Sequence, residues 1–173
     1  MLPRPIRSSG LLLNLAEVAG ATFEELVPTI HRMMGEKSAT FVHVVILDPD
    51  IRRESINGIY TAILAQRSFG GGSDEQVEDL ARWAALSALE TRRSLLLMLE
   101  DSPYLVTDDD PLPELGCGSS VHSGGLIVAC AGMVASECEG LARLVANVMT
   151  RRCRDAVKSK HAEKLRISAK SSK

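Results

Sequence analysis

The sequence predicts an α+β domain in which a mostly antiparallel sheet packs against helices. Two observations favour this class: two strand patterns follow each other across a short acidic turn, and three helical patterns each begin at a capping box. The length of 173 residues suits one domain, and the 45 % hydrophobic content is that of a globular protein. Aromatic residues make up only 3 %. A protein that stacks nucleic-acid bases needs more of them, so we expect no nucleic-acid partner.

Capping boxes mark the predicted helix starts, and they are Thr22-x-x-Glu25, Ser73-x-x-Gln76 and Ser136-x-x-Glu139. The first predicts a helix over residues 23–35, after a separate helical run over 11–18. The second predicts an alanine-containing helix that bends near residues 93–94 or continues through 95–99. The third predicts a long helix that ends in a basic tail.

Strand patterns lie between these helices. Residues 40–47 are a continuous, β-branched apolar run, which predicts a central strand covered on both faces. Residues 58–68 and 125–133 predict two more strands, and residues 104–107 a short fourth. Residues 108–123, rich in Asp, Gly and Ser, predict a loop.

Charge divides the chain into an acidic body and a basic tail. Residues 1–150 hold 11 Lys and Arg against 20 Asp and Glu, whereas residues 151–173 hold nine against two. The tail is either a solvated helix end or an arm that docks on an acidic surface or on nucleic acid.

Cysteine spacing and targeting signals indicate where the protein functions. The four cysteines form no C-x-x-C pair, so we expect buried, reduced thiols in a cytoplasmic protein. Residues 1–16 are basic and lack acidic residues, which leaves a mitochondrial transit peptide as the alternative. Residues 115–136 are uncharged, but only 125–134 are densely apolar, so we expect a buried strand there and no membrane span.

Motifs for catalysis are missing from the sequence. Gly116-x-Gly118 is not a dinucleotide fingerprint, and the glycines at 70–72 lack the Lys of a phosphate loop. We therefore expect no hydrolase or dehydrogenase chemistry, although whether the chain is an enzyme stays open. Among the histidines, His43 is predicted to be a hydrogen-bonded core residue, whereas His122 follows a Ser/Gly loop where a ligand can reach it.

Several segments resemble the haem-binding GlcG/HbpS family. These are residues 40–48, the pair Leu64-Ala65 with Arg67 and a glycine cluster, the alanine-rich helix after Ser73, the run His122-Ser123-Gly124-Gly125-Leu126-Ile127, and residues 127–142. They follow the family's order and cover approximately residues 22–150. The resemblance divides the chain into an arm or short helix (1–21), the family-like domain (22–150) and the basic tail (151–173).

The resemblance implies a profilin-like α+β fold, a homo-oligomer, and a small ligand that is haem or a related tetrapyrrole. Haem requires an apolar slot, basic groups for its propionates and an axial ligand. The ligand-binding residues are then His122, Ser123, Gly124, Gly125 and Arg67, with His122 on the metal and Arg67 on a propionate. Independently of the resemblance, the second predicted helix and its continuation over residues 86–99, with the apolar run 95–99, carry more apolar surface than one sheet face needs and are a candidate subunit contact. The alternative function is a non-catalytic interaction or scaffold module.

Overall fold

The computed structural model describes residues 13–49, 62–94, 116–122 and 125–171. These residues form three helices and one four-stranded antiparallel sheet. In chain order the elements are α1 (Leu15–Glu36), β1 (Phe41–Leu47), β2 (Ile63–Gly70), α2 (Glu75–Thr91), β3 (Cys117–Val121), β4 (Ile127–Ala131) and α3 (Ala135–Ser171). The predicted α+β class, the antiparallel sheet and the long C-terminal helix are confirmed.

Strand β1 lies in the interior of the sheet, whose order is β2-β1-β4-β3. Val44 pairs with Arg67 of β2 on one side and with Cys130 of β4 on the other. All seven residues of β1 are buried, which confirms the prediction of a central strand covered on both faces.

The two faces of the sheet carry different layers. On one face α1 and α3 pack against Val42, Val44 and Ile46 of β1. On the other face α2 packs against Val45 and Leu47, largely through alanines. Alternation of side chains along β1 therefore divides the apolar residues between two cores.

Helix starts differ from the capping-box predictions. The predicted break between the runs 11–18 and 23–35 is wrong, because α1 is continuous from Leu15. It is capped by Asn14, whose side chain accepts from the Glu17 N–H at 3.3 Å. Thr22 lies inside α1, where its hydroxyl donates to the Val18 carbonyl oxygen at 2.8 Å. A threonine hydroxyl can bond to the backbone at a cap or inside a helix, so the motif alone does not locate the helix start.

The other two helices also begin away from the predicted caps. The cap of α2 is Asp74 rather than Ser73, and its carboxylate accepts from the Val77 N–H at 3.2 Å. Ser136 lies inside α3, which begins one residue earlier at Ala135. At its C-terminal end, α2 stops at Thr91.

The predicted loop over residues 108–123 is wrong for Cys117–Val121, which form strand β3. Gly118 explains why this strand has a loop-like sequence. A Cβ at this position would lie 2.6 Å from both the Ala135 carbonyl oxygen and the Glu139 nitrogen. The small residues of β3 are therefore needed for the close approach of α3.

Strand β4 is shorter than the predicted strand over 125–133, because Gly132 has a φ of +111° and turns the chain toward α3. Residues 58–61, 95–99 and 104–107, which carried further predictions, lie outside the described residues. Within the described ranges, no helix has both the length and the hydrophobicity of a membrane span. The uncharged stretch at 115–136 instead supplies the buried strands β3 and β4.

Candidate functional site

A cleft of about 270 Å³ opens beside His122, where the C-terminal end of α2, the end of β3 and the side of α3 meet. We name it the His122 cleft. Its lining residues are Arg92, Arg93, Ser94, Ser120, Val121, His122 and Arg143. Three arginines, a histidine and two serines thus surround one small space.

The end of α2 places two of the arginines. Arg92 ends the helix in the left-handed conformation, with a φ of +56°, and its N–H donates to the Ala88 carbonyl oxygen at 2.9 Å. This turn leads the chain away from the helix axis, so that Arg93 and Ser94 follow at the cleft. Ser94 is buried, whereas Arg92 and Arg93 are exposed.

The turn between β3 and β4 places His122. Its N–H donates to the Leu126 carbonyl oxygen at 2.9 Å, and its own carbonyl accepts from the Gly125 N–H at 3.2 Å. Burial lowers the pKa of His122, and the nearby Arg143 guanidinium lowers it further. Because its ordinary pKa is about 6.5, the imidazole is neutral at physiological pH. A neutral imidazole can donate one hydrogen bond and accept another.

Arg143 is anchored by a neighbour on its own helix. Its Nη2 donates to Glu139 Oε1 at 2.7 Å, while 61 % of the Arg143 side chain stays exposed. A guanidinium has five N–H donors, and this bond uses one of them. Glu139 is buried, and its Oε2 has no partner among the described residues. Glu139 therefore fixes the position of Arg143 without occupying most of its donors.

The donors of the His122 cleft suit an anion. Guanidinium groups bind phosphate and carboxylate through charge-assisted hydrogen bonds, and the Ser120 hydroxyl can add a neutral one. The Ser120 side chain is buried at the cleft, with 5 % exposure. No group of three or more metal-ligating side chains occurs in the described part of the chain.

Arg67 lies away from this cleft. It belongs to β2, whereas His122 follows β3, and the two interior strands separate these edges by three strand spacings, or about 14 Å. Arg67 donates to Glu24 Oε1 at 2.6 Å and lies over the Phe69 ring at 5.3 Å. Of the other predicted binding residues, Gly125 closes the turn after His122, and Ser123 and Gly124 lie outside the described residues.

Three arginines of the His122 cleft were not predicted from the sequence. Arg92 and Arg93 are adjacent, whereas Arg143 follows Arg93 by 50 residues. Basic residues at a helix end or on a helix surface are common. Their shared position depends on the packing of α2 and α3 against β3. The sequence signal that could have indicated this cluster is the basic pair Arg92-Arg93, which follows the otherwise acidic α2.

A larger groove, of about 550 Å³, lies between α1 and α3. It contains Arg151 and Arg152, but both donate to the carboxylate of Glu25. These bonds, led by that from Arg151, hold the pKa of Glu25 below its ordinary value. Both arginines of this groove therefore share a single carboxylate of the same chain.

Comparison of the chain with protein-family models, curated protein sequences and solved structures gives no match. The resemblance to the GlcG/HbpS family therefore stays a prediction.

Proposed function

We propose that this protein binds a small ligand that carries a phosphate or carboxylate group, and that it does so at the His122 cleft. The convergence of Arg92, Arg93 and Arg143 on one small cleft supports this proposal. The body of the chain is acidic, so a cluster of three guanidinium groups stands out from its surroundings. The cleft volume of about 270 Å³ lies just below the range for drug-sized ligands, which favours a small metabolite.

Haem, the ligand that the family resemblance implies, needs three features. The described residues supply an axial candidate in His122 and basic groups in the arginines. They do not supply an apolar slot at this cleft, because Val121 is its one aliphatic lining residue. The residues present therefore do not fit the macrocycle, and the proposal is limited to the anionic group.

Calorimetric titration with inorganic phosphate and with citrate at low ionic strength tests the proposal. We expect saturable binding of at least one probe that weakens as salt is added, because exposed charges are screened. Arg143→Gln is expected to weaken binding about tenfold, since a hydrogen bond to a charged group contributes about 1.5–3 kcal/mol. Arg67→Gln is the matched control, because Arg67 lies at the opposite edge of the sheet and is paired with Glu24.

Two results would contradict the proposal. One is no saturable heat with either probe, and the other is an equal loss of affinity in Arg143→Gln and Arg67→Gln. A parallel haemin titration on wild type and His122→Ala separates the two ligand classes. A saturable Soret shift that His122→Ala abolishes would replace the small anion with haem as the ligand.

A second candidate function, the interaction or scaffold module, is favoured by a different observation. The C-terminal part of α3 is basic, and the side chains of residues 161–169 are all exposed. A long exposed helix on a folded body offers a surface for a partner.

A further inference from the structure

An exposed serine contacts a buried histidine on the face of the sheet that carries α2. Ser68 of β2 and His43 of β1 are cross-strand partners, and the Ser68 hydroxyl oxygen lies 2.8 Å from His43 Nδ1. The histidine is only 3 % exposed, whereas Ser68 is open to solvent. A hydroxyl within hydrogen-bond reach of an imidazole is the arrangement that activates a serine nucleophile.

A third side chain orients the imidazole. Gln66 Oε1 lies 3.2 Å from His43 Nε2, and the same oxygen accepts from Arg82 Nε at 3.3 Å. Because this oxygen only accepts, Nε2 carries the proton of the neutral ring, and Nδ1 is left to accept from the Ser68 hydroxyl. The three side chains therefore stand in the order of nucleophile, base and orienting group that activated nucleophiles share.

The protonation state of His43 suits a general base. Burial lowers the pKa of His43 from its ordinary value of about 6.5, which keeps the ring neutral at physiological pH. The hydrogen bond to Gln66 and the Glu78 carboxylate oppose this shift, and the Arg82 guanidinium adds to it. On β4 the pairing partner of His43 is the uncharged Ala131. A neutral imidazole is the form that can take a proton from a hydroxyl.

The surroundings of Ser68 favour a small, uncharged reactant. Gly71 and Gly72 follow β2, and nothing lies within 4 Å of a Cβ built on either glycine, so this end of the strand is open. Glu78 Oε1 lies 3.5 Å from the Ser68 oxygen, and this carboxylate repels an anionic reactant. Esters of short, uncharged carboxylic acids meet both conditions.

We propose that Ser68 is a nucleophile that accepts an acyl group from a small, uncharged carboxylic ester, and that His43 is its general base. In the first step the Ser68 oxygen bonds to the carbonyl carbon of the ester, and its proton passes to His43 Nδ1. The bond from that carbon to the alcohol oxygen then breaks, and His43 gives the proton to the departing alcohol. The product is an acyl ester on Ser68, and no group changes its oxidation state.

This pair of residues is not visible as a local motif. His43 and Ser68 are 25 residues apart, and the antiparallel pairing of β1 and β2 brings them together. The expectation of no hydrolase chemistry depended on motifs of neighbouring residues, which a cross-strand pair does not form. The site is also independent of anion binding at the His122 cleft, because β2 and β3 lie at opposite edges of the sheet.

Incubation with p-nitrophenyl acetate, followed by mass spectrometry of proteolytic peptides, tests the assignment. We expect acetyl groups to accumulate on Ser68 faster than on other serines. His43→Gln is expected to slow the acetylation of Ser68 about a hundredfold, because a general base contributes about 10²–10⁴-fold. Ser73→Ala is the matched control, since it removes another exposed serine, just before α2, and should leave the rate at Ser68 unchanged.

Gln66→Glu distinguishes a general base from a purely structural histidine. Gln66 is exposed, so the fold tolerates this change. A carboxylate beside Nε2 stabilises the imidazolium and raises the pKa of His43. In wild type the rate of Ser68 acetylation should rise with pH and level off above the pKa of His43, and in Gln66→Glu the same rise should occur at higher pH. Circular dichroism melts check that each variant is folded.

Any one of three results would overturn the inference. The first is acetylation of Ser68 in wild type that is no faster than that of Ser73. The second is a rate at Ser68 that a folded His43→Gln variant leaves unchanged. The third is the same pH profile of acetylation in wild type and in Gln66→Glu. If His43→Gln does not fold, the comparison of pH profiles decides.

Discussion

His43 Nδ1 accepts a hydrogen bond from the Ser68 hydroxyl, whose oxygen lies 2.8 Å away. The direction of this hydrogen bond follows from the second ring nitrogen, Nε2, which lies 3.2 Å from Gln66 Oε1. That oxygen also accepts from Arg82 Nε at 3.3 Å, and a guanidinium only donates. The neutral imidazole must therefore carry its proton on Nε2. The predicted hydrogen-bonded core histidine is confirmed.

This arrangement predicts that stability falls on acidification. Burial lowers the pKa of His43, so the unfolded chain binds a proton more readily than the folded one. The contribution is fully present above the unfolded pKa of about 6.5 and is lost as pH falls from there toward the folded pKa. Urea unfolding at about pH 7.5 and about pH 5.5 should show a lower midpoint at the acidic pH.

The variant His43→Gln is expected to reduce this pH dependence. His122, whose pKa burial also lowers, acts in the same direction, so His43→Gln with His122→Gln should reduce it further. His161→Gln is the control, because that side chain is exposed in the folded protein. An unchanged pH profile in the double variant would contradict the assignment.

Two glycines of the β3 and α3 region should respond oppositely to alanine. Gly118→Ala is expected to destabilise by about 1–3 kcal/mol, because its Cβ would overlap the start of α3. Gly140→Ala is expected to stabilise by up to about 1 kcal/mol, since that helical position is exposed and has nothing within 4 Å of an added Cβ. Chemical denaturation measures both, and the same sign for the two variants would be inconsistent with this packing.

Arg92→Gly separates folding stability from ligand binding. Glycine adopts the left-handed conformation at the end of α2 without the cost of about 1 kcal/mol that a side chain incurs. The variant is expected to melt at a higher temperature than wild type while binding phosphate or citrate more weakly. Unchanged affinity would exclude Arg92 from the anion site, whatever its effect on stability.

Two leucines of α3 test where its packing ends. Leu141 is fully buried, and Leu141→Ala is expected to cost about 2–5 kcal/mol. Leu165 is exposed, and Leu165→Ala should change the stability of the monomer by less than about 0.5 kcal/mol. Unfolding at a concentration where the protein is monomeric makes the comparison. A large loss of stability in Leu165→Ala would mean that this end of α3 packs on its own chain.

Local sequence predicted the fold best where burial is uniform. Strand β1 is covered on both faces, so its whole run of residues is apolar and the pattern is visible without knowledge of neighbours. Strand β3 was missed because its small residues are selected by the approach of α3, which is a tertiary constraint. The start of α1 was misplaced because Thr22 bonds to Val18 within the helix, and the motif does not distinguish this from a cap.

The candidate site was predicted only at one residue. His122 was singled out by its Ser/Gly surroundings, a local feature, and it does line a cleft. The arginines reach that cleft from α2 and α3, and no short-range pattern relates these elements. Arg67 was grouped with His122 because strand order was unknown, and the sheet places β2 and β3 at opposite edges.

The helices on the two faces of the sheet bury unequal amounts of apolar surface, so they differ in how easily they detach from it. Alanines make up most of the α2 contact, whereas Phe23, Ile30 and Leu141 belong to the α1 and α3 layer. Detaching α2 from the sheet exposes less apolar area than detaching the α1 and α3 layer would, and so requires less free energy. Amide hydrogens of α2 should therefore exchange with solvent faster than those of β1. Since Arg92 and Arg93 directly follow this helix, an anion held at the His122 cleft would slow that exchange. Ligand occupancy would then be coupled to the motion of the α2 layer.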